Sequence, residues 1–574
     1  MKMTQEQQEI LASYRTSSKD LVINAFAGTG KTTTLRLIAE QNPKDRFLYL
    51  AFNRKIVKEA KETFPPNVAV KTAHALAYQG LKIFDCPEKL KRARFKFENL
   101  LLDLNTDVSG ITLKNLSELM RDMIRIFEHS SRTEIDPLWV EKWVKPIIYG
   151  CSILEHVSHQ ILASRAESLE KRIEEADIGL AKSYVYGFLE TVKKIQDGDK
   201  RHKLYATVSA LDVDFLGILM KEFELSEALA ARLEHFIDDF QGAIKRFWQE
   251  YSRIDNDIPF EHSTYLKVFQ LSKPKLKSWD TILFDECQDA NPVILDIVNR
   301  QSVRKVWVGD RHQAIYQFTG AINSFDRIID KSCHQHQLTK SFRFGNDIAA
   351  KANKVLKLKK KFQNIRYPIP AIKGLNNPLK AIRGASKNAH LCRTNAGVIE
   401  TALDIMKGAA DESIYVGDCI NEKILSDLCD VYWLWIHREE RNKIKSTYIK
   451  SFEDIKELLV ESHLKGDAEM IRLYNLVKKM MTFDEPFLLT LSKLRKVVRK
   501  QDKNAKNCVI TAHKAKGLEW DHVILGEDFV GFFFDEDGDL KPFIRESELN
   551  LLYVGVTRAR RDLTLQKPFE HLIS

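Results

Sequence analysis

Between residues 20 and 75 short apolar runs alternate with helix-length stretches: DLVINAF, a glycine turn into TTTLRLIAEQ, then RFLYLAF, RKIVKEAKETF and VAVKTAHAL. Strands separated by helices in this rhythm predict a parallel α/β unit, because parallel neighbours need crossover connections. From about 88 to 261 the strand signal is lost. Long amphipathic, charge-rich segments such as LKNLSELMRDMIRIFEH and EALAARLEHFIDDFQGAIKRFWQEY predict a helical insertion there. Strands return in SWDTILFDE and VRKVWVGD, a mixed region runs to about 398, and a second mostly helical block occupies roughly 400 to 500. NCVITAH, HVILGE and NLLYVGVTRA then close the α/β pattern. The plan is two α/β units, each interrupted by a helical insertion.

Bulk properties narrow this picture without redirecting it. A chain of 574 residues exceeds a single hydrophobic core and predicts several units. With 44% hydrophobic and 29% charged residues it has the balance of a folded globular chain rather than a disordered one. No stretch approaches the ~18 apolar residues that a membrane span requires, and MKMTQEQQEI lacks the apolar core of a signal peptide. The eight cysteines are scattered without a C-x-x-C pair, so reduced thiols and an intracellular location are expected, cytoplasm or nucleoid in a bacterium, nucleus in a eukaryote. Cys333, His334 and His336 lack a second ligand pair and read as a surface loop. The net charge of +10, from 89 basic and 79 acidic residues, suits a polyanionic partner but is thinly spread.

Local chemistry decides more. Ala25-Phe26-Ala27-Gly28-Thr29-Gly30-Lys31-Thr32 stands between a predicted strand and a predicted helix. Small residues let backbone N–H groups close around phosphate oxygens, Lys31 reaches the β and γ phosphates, and the Thr32 hydroxyl is a Mg²⁺ ligand at the helix N-terminus. Ala25 stands where the strict pattern has its first glycine. A second signal supports the first: the apolar run TILF leads directly into Asp285-Glu286-Cys287-Gln288-Asp289. Beside a phosphate loop, Asp285 is placed to hold Mg²⁺ and Glu286 to polarise an attacking water.

With these two motifs in place, the order along the chain resembles the UvrD, PcrA and Rep group of superfamily 1 helicases. In wording it is most similar to the F-box-containing DNA helicase branch, through AFAGTGKTTTL, TAHALAY, HKAKGLEWD and NLLYVGVTRA, though without the F-box itself. The resemblance implies two RecA-like P-loop domains: one from 1–87 and 262–335 with the insertion 88–261, the other from 336–398 and 500–574 with the insertion 399–499. It implies ATP and Mg²⁺ as cofactors. Gln7 of TQEQ would read the adenine, and Ala27, Gly28, Thr29, Gly30, Lys31, Thr32, Thr33, Gly517 and Glu519 would contact the nucleotide. Gln313 would sense the γ phosphate, and Arg343 and Arg558 would reach it across the cleft; Glu548 would be a supporting acid near phosphate and ribose.

For the strand, the resemblance implies stacking of bases on Tyr316 and Phe318. Contacts would come from loops carrying Phe52 and Asn53, Thr72 and His74, Arg393 and Asn395, and Thr511 and His513. Stacking and phosphate contacts hold a strand without reading its sequence. The basic runs 90–97, 354–366 and 493–506 extend this track, touch a duplex or lie as solvated helix faces. Phe532 to Phe534 with the acids that follow read as a packed loop with an acidic turn. The implied activity is ATP-dependent 3′ to 5′ translocation on single-stranded DNA and unwinding at single/double-strand junctions, with repair, recombination or defence proteins as partners and no membrane. Two other readings stay open: a translocase that strips recombinase filaments with little unwinding, and an ATP-dependent strand-sensing subunit of a larger complex.

Overall fold

The structure is a computed structural model, and it describes residues 3–51, 54–90, 113–140, 227–256, 258–315, 325–328, 333–365, 367–375, 388–408, 413–417, 419–436, 438–465, 468–500, 505–535 and 537–573, with the single positions 101, 144 and 148. The chain forms two compact units. One comprises Met1–Val70, Lys277–Ala290 and Ser302–Ser574; the other comprises Lys71–Leu276 and Asn291–Gln301.

The first unit contains two parallel sheets. The six strands of one are β1 (Leu21–Ala25), β2 (Phe47–Ala51), β3 (Val68–Thr72), β4 (Thr281–Phe284), β5 (Arg304–Gly309) and β6 (His334–Leu338), in the order β3-β2-β4-β5-β1-β6. After a short pair, β7 (Lys340–Ser341) with β8 (Lys373–Gly374), come β9 (Asn388–Cys392), β10 (Ile414–Val416), β11 (Asn507–Thr511), β12 (Trp520–Leu525) and β13 (Ala559–Thr564). These five form the second sheet in the order β10-β11-β9-β12-β13. Two parallel sheets of this kind are the framework of two RecA-like domains.

Burial explains which runs became strands. β2, β4 and β11 are buried along their whole length, as expected where helices cover both faces of a parallel sheet. β6 differs: it lies at the sheet edge, pairing Leu21 through Ala25 with His334 through Leu338, and only Leu338 is buried. The segment read as a surface loop around His334 and His336 is therefore an edge strand. Its period-two pattern of half-exposed polar residues offered no apolar run to read.

Helices follow the same logic. Residues Gln5–Thr16 begin with a reciprocal cap between Thr4 and Gln7, and Lys31–Gln41 buries Thr34, Leu35, Ile38 and Ala39 on one face. NLLYVGV belongs to the helix Glu546–Val556, which is buried from Glu548 to Val556 and so shows no amphipathic period. Residues Phe532–Phe534 are also more ordered than a loop: Val530–Phe533 is a single helical turn, and Phe534 bridges to Leu540. Leu551 to Val554 share one hydrophobic core with β9, β11 and β12.

The second unit is helical. Its described helices include Ala73–Gly80, Leu113–His129, Glu227–Tyr251, His262–Leu271 and Pro292–Asn299. Inside it Ser263 and Thr264 donate to the Glu128 carboxylate at 2.7 and 2.6 Å. The buried Lys267 ammonium donates to the Ser130 carbonyl at 2.9 Å, closing the end of Leu113–His129. Among the described residues no helix is long and apolar enough to cross a membrane.

Candidate functional site

Four adjacent strands of the first sheet, β4, β5, β1 and β6, end side by side, and the segments after their carboxyl ends build most of one cavity. This is where ligands of parallel α/β sheets bind. After β1 the chain turns through Gly28 at φ +72° and Gly30 at φ +82°, both in the left-handed region. A Cβ on Gly28 would lie 2.5 Å from Arg343 Cβ and 2.6 Å from Ser341 Oγ, so glycine is required by contact as well as by backbone. Gly30 caps the Lys31–Gln41 helix without any side-chain acceptor, which leaves first-turn N–H groups for an anion.

After β4, Asp285 is buried and its Oδ2 accepts from the Thr32 hydroxyl and from the Tyr49 hydroxyl, each at 2.7 Å. Burial, reinforced by the neighbouring Glu286 charge, pushes the Asp285 carboxyl above the usual range. Glu286 sits at φ +52°, a strained conformation for a side chain with a Cβ. Its carboxylate lies 3.6 Å from Lys31 and accepts from Gln288 Nε2 at 2.6 Å. Burial raises this carboxyl, but Lys31, Lys516, Gln288 and Arg558 outweigh it and hold it down at about 2. The two adjacent acids are thus pushed in opposite directions.

After β5, the buried Asp310 carboxylate accepts from Gln313 Nε2 at 2.7 Å and from Tyr553 OH at 3.2 Å. After β6 and β7, Phe342 N–H donates to the Gly28 carbonyl at 2.8 Å, which lays the Arg343 segment against the phosphate loop. Arg343 Nε donates to Glu519 at 2.7 Å and Nη1 to the Thr557 carbonyl at 3.1 Å. Arg558, almost wholly buried, donates to the carbonyls of Val554 and Leu518 and to Gln313 Oε1 at 3.3 Å. Burial and the adjacent Arg343 guanidinium both press Arg558 toward losing its proton. Two guanidinia facing one cavity, with Lys31 and Lys516, form a cationic cluster suited to a polyanion.

The cavity measures about 910 Å³ and is lined by Gln7, Gly28, Thr29, Gly30, Lys31, Thr32, Thr33, Asp285, Glu286, Gln313, Arg343, Gly517, Glu519 and Arg558 among others. These predicted residues, far apart in sequence, are brought together. Ala27 is not in the lining; its N–H faces Tyr553 OH at 3.4 Å. Glu548 is not there either: it forms a two-pronged pair with Arg393, at 2.7 Å on each oxygen.

Sequence reasoning missed several groups here. Lys516 Nζ donates to Asp289 and to the Gln313 carbonyl, each at 2.5 Å, joining the segment before β12 to those after β4 and β5. Burial, opposed by Lys516, raises Asp289 to about 6. Lys516 was visible only as a cation beside Gly517 in a recognised motif. Tyr49 was hidden in an apolar strand, where a phenol implies a hydrogen-bond partner.

The predicted strand contacts are more dispersed. Phe52, Asn53, Tyr316 and Phe318 lie outside the described residues. In the helical unit, Thr72 caps Ala73–Gly80 by accepting from Ala75 N–H at 3.1 Å, and His74 in that helix packs edge-on to Tyr265. In the first unit, Arg393 follows β9 and lies 4.5 Å from the centre of the Phe532 ring. Asn395 opens the helix Asn395–Gly408, and Thr511 ends β11 with its N–H toward Cys419. Burial, with Arg393 nearby, lowers His513 to about 4. The expectation that these groups sit on loops is corrected: Thr72, His74, Asn395 and Thr511 occupy strand ends and helix starts.

A glycine-lined phosphate loop after β1, acids after β4 and a second parallel sheet contributing arginine define a P-loop protein with two RecA-like halves. The chain belongs to the UvrD/REP helicase family: the family's N-terminal domain matches residues 3–332 and the UvrD-like helicase C-terminal domain matches residues 506–565. Among curated proteins it is similar to F-box DNA helicase 1 of Gallus gallus, 27% identical over 100% of this chain and 50% of the relative. F-box DNA helicase protein 1 of Schizosaccharomyces pombe is 29% identical over 98% of this chain and 57% of the relative. A probable DNA helicase II homolog of Mycoplasma pneumoniae is 23% identical over 56% of this chain and 59% of the relative. The chain therefore spans about half the length of the F-box relatives it matches.

Proposed function

We propose that this chain is an ATP-hydrolysing motor that moves 3′ to 5′ on single-stranded DNA and separates strands at single/double-strand junctions, in repair, recombination or defence. The observation that carries the reading is that Lys31, Asp285, Glu286, Arg343 and Arg558 line one cavity. Names of the F-box and DNA helicase relatives support DNA as the substrate. Lys31 and the first-turn N–H groups bind phosphate, Glu286 orients and polarises water, and Gln313 reports the terminal phosphate to the segment that follows it. Arg343 and Arg558 stabilise charge that develops on the transferred group. Because Arg558 stands before a strand of the second sheet, turnover is tied to the approach of the two halves.

The oxygen donors present suit magnesium. Thr32 and Asp285 offer a hydroxyl and a carboxylate 2.7 Å apart, and this ion takes one or two carboxylates together with substrate phosphates and water. These two residues would hold Mg²⁺, which supplies charge neutralisation on the phosphoryl oxygens.

Strand displacement on duplexes with a 3′ or a 5′ single-stranded tail tests the proposal. The 3′-tailed duplex is expected to open only with ATP, and Lys31→Ala is expected to abolish opening and turnover while retaining weak strand binding. Near-normal turnover in Lys31→Ala, or opening without ATP, overturns it.

A further inference from the structure

The helix Asn346–Phe362 buries Ala352, Val355, Leu356 and Lys359, an i, i+3, i+4, i+7 stripe in which the last member is a lysine. Its neighbours Lys354, Lys357, Lys360 and Lys361 are exposed, whereas Lys359 is 1% exposed. The basic run 354–366 is therefore not a uniformly solvated face. All three ammonium hydrogens of Lys359 have acceptors: Asn550 Oδ1 at 2.6 Å, Glu546 Oε1 at 2.9 Å and His312 Nδ1 at 3.3 Å. Asn550, fully buried, passes the link on by donating Nδ2 to the Ala314 carbonyl at 2.8 Å. His312 stacks on Phe26 of the phosphate loop, with ring centres 5.7 Å apart and planes within 5°. Glu546, Asn550 and Tyr553 lie at i, i+4 and i+7 on one face of their helix, and Tyr553 holds Asp310 of the same segment.

The gripped segment, 310–315, has Gln313 in the nucleotide cavity and runs on toward Tyr316 and Phe318, the residues expected to stack on bases. Lys359, Glu546, Asn550 and His312 do not line the cavity. We propose that Lys359 and Asn550 are a positioning pair that holds the 310–315 segment to the second half, so that strand binding at one end of it changes turnover at the other. This rests on the motor reading above. Packing alone is a weak reason for the arrangement, because a buried charge network can often be replaced by apolar residues without loss of stability. The network fixes one geometry of the segment that carries Gln313 into the cavity and leads in sequence to the positions expected to stack on bases.

The test measures ATP turnover of the full chain with and without an oligothymidylate strand, beside thermal unfolding. Lys359→Met is expected to lower the strand-stimulated to basal ratio by about tenfold, with basal turnover and KM for ATP within about threefold, a coupling loss of ordinary size. Lys359→Arg is expected to restore part of the ratio, since a guanidinium still donates to Asn550 and Glu546. Asn550→Leu removes the Ala314 link independently and is expected to lose the ratio too; the Lys359→Met, Asn550→Leu double variant is expected to be no worse than either. An unchanged ratio in Lys359→Met or in Asn550→Leu overturns the inference, and so does an equal fall of basal and stimulated turnover. If Lys359→Met fails to fold, Asn550→Leu decides. Wild-type protein without strand-dependent turnover would overturn the motor reading itself, visible before any variant is made.

Discussion

The first sheet meets the nucleotide cavity with the carboxyl ends of its strands, and the second meets it with the segments that precede β12 and β13. The difference separates their chemistry. Carboxyl ends of the first sheet supply the phosphate loop, two acids and Gln313, with Gly28, Gly30 and Glu286 held at positive φ. The second sheet contributes long side chains, Lys516, Glu519 and Arg558, that reach into the same space from before their strands. Its own carboxyl ends carry Arg393, Asn395, Thr511 and His513 instead, beside the acids Asp528 and Glu548. In the motor reading one sheet end serves a triphosphate, and the other is left for a second ligand, the strand.

Arg393→Ala sharpens this division most. Arg393 holds Glu548 on both oxygens and covers Phe532. Its loss is expected to raise the DNA concentration for half-maximal stimulation by about tenfold, the order of one charged hydrogen-bonding group, while the corresponding ATP concentration moves less than about threefold. A larger shift for ATP than for DNA in a titration of turnover would erase the distinction between the two sheet ends.

An effect of a different kind, on stability, is expected from pH at the same cluster. His513 is held to about 4, against an ordinary value of about 6.5. The unfolded chain takes up a proton between these values and the folded chain does not. The stability contributed here is complete above about 6.5 and is lost as pH falls toward 4, an effect of roughly 2 kcal/mol after allowance for partial exposure. His513→Asn, which cannot titrate, is expected to flatten part of the fall in thermal midpoint between pH 7 and pH 5. An identical fall in wild type and variant would show that His513 titrates normally.

The nucleotide end was largely legible in the sequence because its signals are local. Gly28 to Thr32 and Asp285 to Glu286 each announce a turn after an apolar strand, and turn chemistry is written in neighbouring residues. The other end was legible only as motif wording, and its details depend on tertiary pairing. Nothing adjacent to Arg393 reveals that Glu548 would clamp it across 155 positions. Lys359 shows the limit most clearly: in a run of lysines its charge reads as solvated, and only the helical phase of Ala352, Val355 and Leu356 sets it apart. The polar edge strand β6 escaped because alternation of histidine and glutamine lacks an apolar face.

The central claim is that both sheets act on one nucleotide, and Arg558 tests it most directly, since it comes from the second sheet and touches Gln313 of the first. In Arg558→Ala, kcat for ATP is expected to fall by about a hundredfold or more while the Kd for ATP, measured by equilibrium binding, changes by less than about threefold, the pattern of a group acting chiefly on the transition state. A near-normal kcat, or a Kd weakened as much as kcat, would contradict the account.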